Sequence, residues 1–451
     1  MASGSRRHGA REILGWGSRV RWEEIVLKCS LSFAAIAVLV CVASQSEAAP
    51  FTPGNLVVTR VGDGVSALAS TATPVFLDEY TMSGVLVQSI ALPAITPGFG
   101  KRLLLAGSTG NSEGTLSRSG DGRFVTLAGY DAGIGEVVSS TSALAVNRVV
   151  ARVDVCGKVD TSTAITDAPS GNSAPIRAAV TNDGSGYWFV GGGSSTGVRW
   201  TPNATQGSSV QIAVEPGNTR VVRIFDGQLF AATATASFPG VGSVGTGLPT
   251  IAGQISAIFF GLETNVSIYD FTIPSPAVMY VADDSATSRG LSKYVFNVGT
   301  GTWALMFRTA LGLTPATVGL RRLCALPTSG GHDLFGLTDD GLSLVKFVDD
   351  GVNQTFVTIA SAAPNTRLRG IDLVPTGTCC GADLDNDGTI ATGVVPDGGV
   401  DINDLLAFLE AFEAGSVIAD LDSDGIDPLI PDGGVDINDL LAFLSHFEAG
   451  C

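Results

Sequence analysis

The sequence predicts a mainly β chain: a six- or seven-bladed β-propeller followed by a small α-helical module. Three observations carry this. Short, aromatic-centred apolar runs recur about every 40 to 60 residues between residues 49 and 374, a spacing that suits a four-stranded blade. No long helical period interrupts them. From residue 379 onward the chain changes character, becoming acidic and internally duplicated, with apolar residues at helical spacing. The expected organisation is an export signal at 1–48, a propeller at 49–374, a short linker at 375–378 and the module at 379–451.

The N-terminus reads as an export signal. Arg6, Arg7, Arg11, Arg19, Arg21 and Lys28 precede an apolar run from Leu31 to Val42. Ser46-Glu47-Ala48 then offers a small-x-small cleavage site, so that Ala49 and Pro50 open the mature chain. The run is shorter than the ~20 apolar residues that span a bilayer. The mature chain is therefore expected to have no transmembrane segment and to be secreted, extracellular or held at a cell surface.

The body carries the strand signals. Asn55-Leu-Val-Val-Thr-Arg-Val, Arg123-Phe-Val-Thr-Leu-Ala-Gly, Tyr187-Trp-Phe-Val and Val278-Met-Tyr-Val-Ala are typical runs. Several follow an Asp-Gly turn, as at Asp121-Gly122, Asp183-Gly184 and Asp226-Gly227. The run around Leu368-Arg-Gly-Ile-Asp-Leu-Val is expected to pair with the first strand near Leu56-Val-Val-Thr-Arg-Val. Such ring closure removes open sheet edges. A large sandwich and a β-solenoid are the alternatives.

Catalytic motifs are sparse in the body. Gly240-Val-Gly-Ser-Val-Gly matches a dinucleotide pattern but lacks the strand–turn–helix context, and reads as a glycine-rich loop. Gly193-Ser-Ser-Thr-Gly197 matches a nucleophile elbow but sits in a Gly/Ser-rich loop. His332 falls in a turn ahead of a strand and reads as a surface residue. Asp283-Asp284, Asp339-Asp340 and Asp349-Asp350 read as hairpin-turn acids, not as the facing carboxylates of a glycosidase. The channel of a propeller is a ready ligand site, but no residue names its ligand.

The module holds nearly all of the net charge. The chain carries −17 overall, with 15% charged residues and 57 glycines. Cys379 to Cys451 contains 13 Asp, 3 Glu and no Lys or Arg. This argues against nucleic acid, which needs a basic patch. Pro396-Asp-Gly-Gly-Val-Asp-Ile-Asn-Asp-Leu-Leu-Ala-Phe-Leu409 recurs unchanged at Pro431 to Leu444. Before each copy stands an acidic ladder, Asp383, Asp385, Asp387 with Gly388, and Asp420, Asp422, Asp424 with Gly425. That spacing is the opening of an EF-hand loop, in which oxygens from alternate residues converge on Ca2+. Thr389 and Ile426 would add backbone carbonyls. After an inserted stretch, Asp404 and Asp439 would close the two sites, with Asp397 and Asp432 as the alternative closing ligands, while Asp401 and Asp436 serve as water-mediated ligands or as helix caps.

Leu405, Phe408, Leu409 and Phe412 fall on one helical face, repeated by Leu440, Phe443, Leu444 and Phe447. Gly415 and Gly450 mark the helix ends. Five cysteines follow the signal: Cys156, Cys324, Cys379, Cys380 and Cys451. A bridge from Cys379 or Cys380 to Cys451 would close a loop of roughly 70 residues, worth a few kcal/mol in the chain-entropy model. The expectation adopted is Cys380–Cys451; Cys156–Cys324 is one open pairing, connectivity is not fixed by the sequence, and five being odd leaves one thiol over.

Two tandem calcium loop–helix units at the end of an exported chain resemble a dockerin, in particular the variant that opens with a cysteine and ends in Gly450-Cys451. The resemblance covers residues 379–451. It implies two Ca2+ ions and a partner that is a cohesin-like module or a surface anchor protein. It also implies that Ile402, Asn403, Ile437 and Asn438 face that partner. The resulting expectation is a secreted, non-catalytic binding or display protein anchored through the module. The alternative is an extracellular enzyme acting on polysaccharide, tethered in the same way.

Overall fold

Turn chemistry sets the strand pairing. Asp226 and Gly227 both adopt positive φ, 48° and 68°, the left-handed geometry of a two-residue hairpin turn that matches strand twist. They join Val221–Phe225 to Gln228–Thr233, with Phe225 directly opposite Gln228. Gly184, at φ 92°, closes the looser turn between Ile176–Thr181 and Gly186–Gly191.

The computed structural model describes residues 49–97, 100–108, 112–170, 174–235, 238–263, 266–285, 289–309, 318–351, 356–377, 382–384, 400–421 and 434–449. Residues 1–48, where the export signal is expected, lie outside them. The strands form a six-bladed β-propeller. The first blade is closed by Arg367–Leu373, which pairs with Leu56–Val61 and is followed outward by Val75–Tyr80 and Leu86–Ala91. The next five blades begin at Ser117–Arg118, Ile176–Thr181, Val221–Phe225, Ile268–Ser275 and Leu320–Thr328. Each then runs outward through three further antiparallel strands, the second blade gaining a short parallel addition, Gln206–Gly207.

The six leading strands contact one another in a complete circuit, which makes them the lining of the central axis. The expected ring closure is present: Leu56 faces Leu373 and Val61 faces Arg367. The two ends of the domain thereby share one sheet, which gives the first blade four strands like the others. Apolar layers fill the spaces between blades. Val57, Leu77, Leu127 and Ala151 join the first two blades. Tyr280, Leu291, Leu323 and Phe347 join the last two.

The propeller is followed by two helices, α1 (Ile402–Glu413) and α2 (Ile437–Ala449). Asp401 caps α1: its side chain accepts from the Asn403 N–H, and Asp404 accepts from the Asp401 N–H, forming a capping box. Asp436 and Asp439 repeat both bonds at α2. Phe408 and Phe443 are fully buried and stack at 4.1 Å with an angle of 13°. Ala382, Leu384 and Ala419 complete this small core. Gly415, at φ 60°, ends α1 as expected. Gly450 lies outside the described residues.

The expected apolar stripe splits into two. Leu405, Phe408 and Phe412 face the core, whereas Leu409 joins Ile402 and Leu406 on an exposed row at i, i+4, i+7. Two further readings of the body are corrected. Gly240–Val244 is a strand of the fourth blade, not a loop, because its small residues let Thr233 and Phe259 approach its backbone. His332 lies within the strand Gly331–Thr338 and is half-buried, because its ring meets a tyrosine of the neighbouring blade.

Candidate functional site

The leading strands carry arginines toward the axis. Arg177, Arg223, Arg322 and Arg369 occupy the third, fourth, sixth and first of these blades, and Arg321 precedes Arg322. Arg223, Arg322 and Arg369 are buried, and Arg177 is half-buried. Arg223 is the best satisfied. Its guanidinium donates to both oxygens of Asp270, at 2.9 and 2.7 Å, and to Asp372 at 2.8 Å. This triad ties the fourth, fifth and first blades together. Burial disfavours the Arg223 charge, but the two carboxylates outweigh burial and push its pKa above the ordinary value.

The remaining arginines gather around Tyr269. The guanidinium carbons of Arg220, Arg321 and Arg322 lie 4.3, 4.5 and 5.0 Å from its ring centre. Such stacking is favourable for planar guanidinium groups. Arg220 and Arg321 share Asp284, at 3.4 and 2.9 Å. Arg322 donates to the carbonyls of Arg321 and Ser112. Arg369 donates to the Ser108 carbonyl. Arg177 donates to Ser112, Asn218 and Thr219. Burial lowers the pKa of both Arg322 and Arg369 to about 10. The sequence reading missed this cluster, although a signal was present: an arginine sits early in several of the leading runs.

Two other groupings lie off the axis. Tyr280 donates to Asp349, Lys293 reaches the same carboxylate at 2.5 Å, and His332 Nδ1 lies 3.0 Å from the Tyr280 hydroxyl. Burial pushes Asp349 up, but bonds from Lys293 and Tyr280 hold it below the usual carboxylate value. Burial and the Lys293 charge hold His332 below the usual imidazole value. Asp284 and Asp349 are thus ion-pair acids, not merely turn residues. Asp340 is a turn residue, accepting from Thr338 Oγ1 and the Leu342 N–H. Between the fourth and fifth blades, Phe225, Phe230, Phe259, Phe260, Phe296 and Trp303 line an open cleft of about 800 Å³. Ring faces of this kind take apolar or ring-shaped ligands.

In the helical module the calcium expectation is corrected. Among the described residues, no group of three or more His, Cys, Asp or Glu side chains could hold a metal ion. The carboxylates of Asp404 and Asp439 are engaged by the backbone instead. Asp404 accepts from the Leu384 and Asp401 N–H groups at 2.5 and 2.7 Å. Asp439 accepts from Leu421 and Asp436, both at 2.6 Å. Asp383 and Asp420 are buried beside them. Asp385, Asp387, Thr389, Asp397, Asp422, Asp424, Ile426 and Asp432 lie outside the described residues.

The disulfide expectation is corrected as well. No disulfide joins two described residues, and Cys324 is a free thiol buried in the sixth blade. The pairing Cys156–Cys324 is therefore excluded; Cys156 is held in a disulfide whose other half is not Cys324. Cys379, Cys380 and Cys451 lie outside the described residues.

Ile402 and Ile437, expected at a partner surface, are 59% and 60% exposed. Asn403 and Asn438 are half-buried beside them, their N–H groups held by Asp401 and Asp436. Leu406 and Leu441, at 49% and 58%, extend the two rows, followed by Leu409 and Leu444. Among the described residues, no helix is long and apolar enough to cross a membrane.

No family model matches the chain, and no curated protein matches it. Solved structures do resemble it. A proposed 6-phosphogluconolactonase from Bacteroides fragilis is 11% identical, covering 71% of this chain and 98% of its own, with a TM-score of 0.40. A second one, from Bacteroides uniformis, is 13% identical over 71% and 100%, with a TM-score of 0.39. A chain of the nidogen/laminin complex is 12% identical over 70% and 97%, with a TM-score of 0.41. Likeness at this level carries no argument about activity.

Proposed function

We propose that this chain is an exported display protein whose propeller is a binding body and whose helix pair is a dockerin-like attachment module. The observation that supports this most is the duplicated exposed row: Ile402, Leu406 and Leu409 on α1, matched by Ile437, Leu441 and Leu444 on α2. A small module gains stability by burying apolar residues. Six large ones left outside, at identical places in two unchanged copies, suit a protein partner. Asn403 and Asn438 stand next to the rows with side-chain amides suited to rim hydrogen bonds. The partner would be a cohesin-like module or another surface anchor, and the place of action the cell exterior. The basic N-terminal segment with its apolar run supports export.

The test uses the full chain in its producing cell. Leu406→Asp combined with Leu441→Asp puts a carboxylate into each row without touching Phe408 or Phe443. The variant is expected to keep its helical circular dichroism and to move from the cell-surface fraction into the medium. Surface retention equal to the unsubstituted chain would overturn the attachment role.

A further inference from the structure

We propose that the propeller axis holds an oxyanion, a carboxylate or phosphate group, among Arg177, Arg220, Arg321, Arg322 and Arg369 around Tyr269. This gives the binding body its ligand class and rests on that reading. Anion binding and surface retention are separate readouts, so either can fail alone.

The first argument is charge. Seven arginines meet in and around this cluster: Arg177, Arg220, Arg223, Arg289, Arg321, Arg322 and Arg369. They face six carboxylates: Glu113, Asp270, Asp284, Asp339, Asp340 and Asp372, one fewer than the arginines. Asp270 and Asp372 are committed to Arg223. Asp284 is divided between Arg220 and Arg321. Asp339 lies 3.9 Å from Arg289. Glu113 accepts from the Ala106 N–H and the Tyr130 hydroxyl. Positive charge is therefore in excess at a place where like charges repel strongly because water is scarce. The propeller as a whole gives this no general cause, since nearly all of the chain's net charge lies in residues 379–451 and the rest is close to neutral.

The second argument is an unused donor. Arg322 is 2% exposed, yet its Nε has no hydrogen-bond partner in the structure. Buried N–H groups are nearly always paired, and a charged one left over is costly. The third argument is geometric. Guanidinium groups present planar, paired donors that match carboxylate and phosphate oxygens. The carbonyls of Ser108 and Ser112, which now accept from Arg369 and Arg322, are neutral and weaker partners than an oxyanion. A bound anion would take the Arg322 Nε–H and offset the excess charge. It would also restore the guanidinium pKa values that burial has lowered.

The experiment titrates the purified full chain with sodium phosphate and, separately, with sodium glucuronate. Sodium chloride at equal ionic strength is the control. Binding is followed by thermal unfolding and by titration calorimetry. At least one oxyanion is expected to raise the melting temperature saturably and to release or absorb heat with a defined stoichiometry, while chloride does neither. The arm that responds identifies phosphate or a sugar carboxylate as the ligand group. Arg322→Leu and Arg369→Leu are each expected to weaken binding at least about tenfold, the loss of one charge-assisted bond. Arg102→Gln, which breaks only the outlying pair with Asp131, should leave binding unchanged. No saturable response to either oxyanion would overturn the proposal, as would unchanged affinity in Arg322→Leu. If the leucine variants fail to fold, the titration of the unsubstituted chain decides alone.

Discussion

Replacing Arg223 by Met tests the idea that one guanidinium clasps three blades. Arg223 spans Asp270 in the fifth blade and Asp372 in the first, at 2.7 to 2.9 Å, and all three groups are nearly or fully buried. Met keeps most of the side-chain volume but leaves two carboxylates close together with no shared cation. Removing one partner of a buried ion pair costs about 3–5 kcal/mol. For a domain of this size, that corresponds to a fall in melting temperature on the order of 10 °C. The sign with pH is also fixed. Protonating the stranded carboxylates relieves their repulsion in the folded state only, so the folded variant binds more protons than its unfolded chain. Its stability then rises, relative to the unsubstituted protein, as pH falls from 7 toward 5. Adding Asp270→Asn and Asp372→Asn to Arg223→Met should recover much of the loss, because a neutral set carries no buried charge to compensate. Thermal unfolding followed by circular dichroism at several pH values measures all of this. A single variant within about 1 kcal/mol of the unsubstituted chain at pH 7, or a deficit that ignores pH, would refute the clasp.

Two further outcomes are expected. His332 has a folded-state pKa depressed by burial and by Lys293, so it favours neutrality in the folded protein and its contribution is present above the unfolded value near 6.5 and lost as pH falls. His332→Gln should flatten the stability loss between pH 7 and 5, and an unchanged pH profile of unfolding would count against that role. Phe408→Ala removes the ring stacked on Phe443 at 4.1 Å. A fully buried Phe→Ala change costs about 3–5 kcal/mol, more than so small a core is expected to withstand. Calorimetry should show the helical transition lost and the propeller transition kept; intact α1 and α2 by circular dichroism would contradict it.

Much of the fold was legible because its signals are local. Asp226-Gly227 encodes a hairpin turn within two residues, and the spacing of aromatic runs encodes blades. The pairing of Leu56–Val61 with Arg367–Leu373 followed from the need to close a ring. The unchanged repeat announced two equivalent helices, and Asp401 was readable as a cap. What was misread depended on neighbours distant in sequence. Leu409 fits the core stripe by period, yet it stays exposed beside Ile402 and Leu406. His332 looked like a turn residue because Tyr280, 52 positions away, is invisible to a local reading. The acidic ladders looked like metal sites because spacing shows which oxygens are near in sequence. It does not show that the Asp404 and Asp439 oxygens are engaged by the N–H groups of Leu384 and Leu421.

The sequence by itself determined the class of the chain: β-blades of about the right number, a closing strand, and a duplicated helical end whose equivalent residues stand at equivalent places. Periodicity suffices for this, because strand and helix repeats are properties of a few neighbouring residues. Only the tertiary structure decided that there are six blades and that their leading strands bring Arg177, Arg223, Arg322 and Arg369 to one axis. Arg223 meets Asp372 across 149 positions of sequence. Such a contact exists only once the ring has closed, and the charge of the axis is set by which side chains that closure brings together.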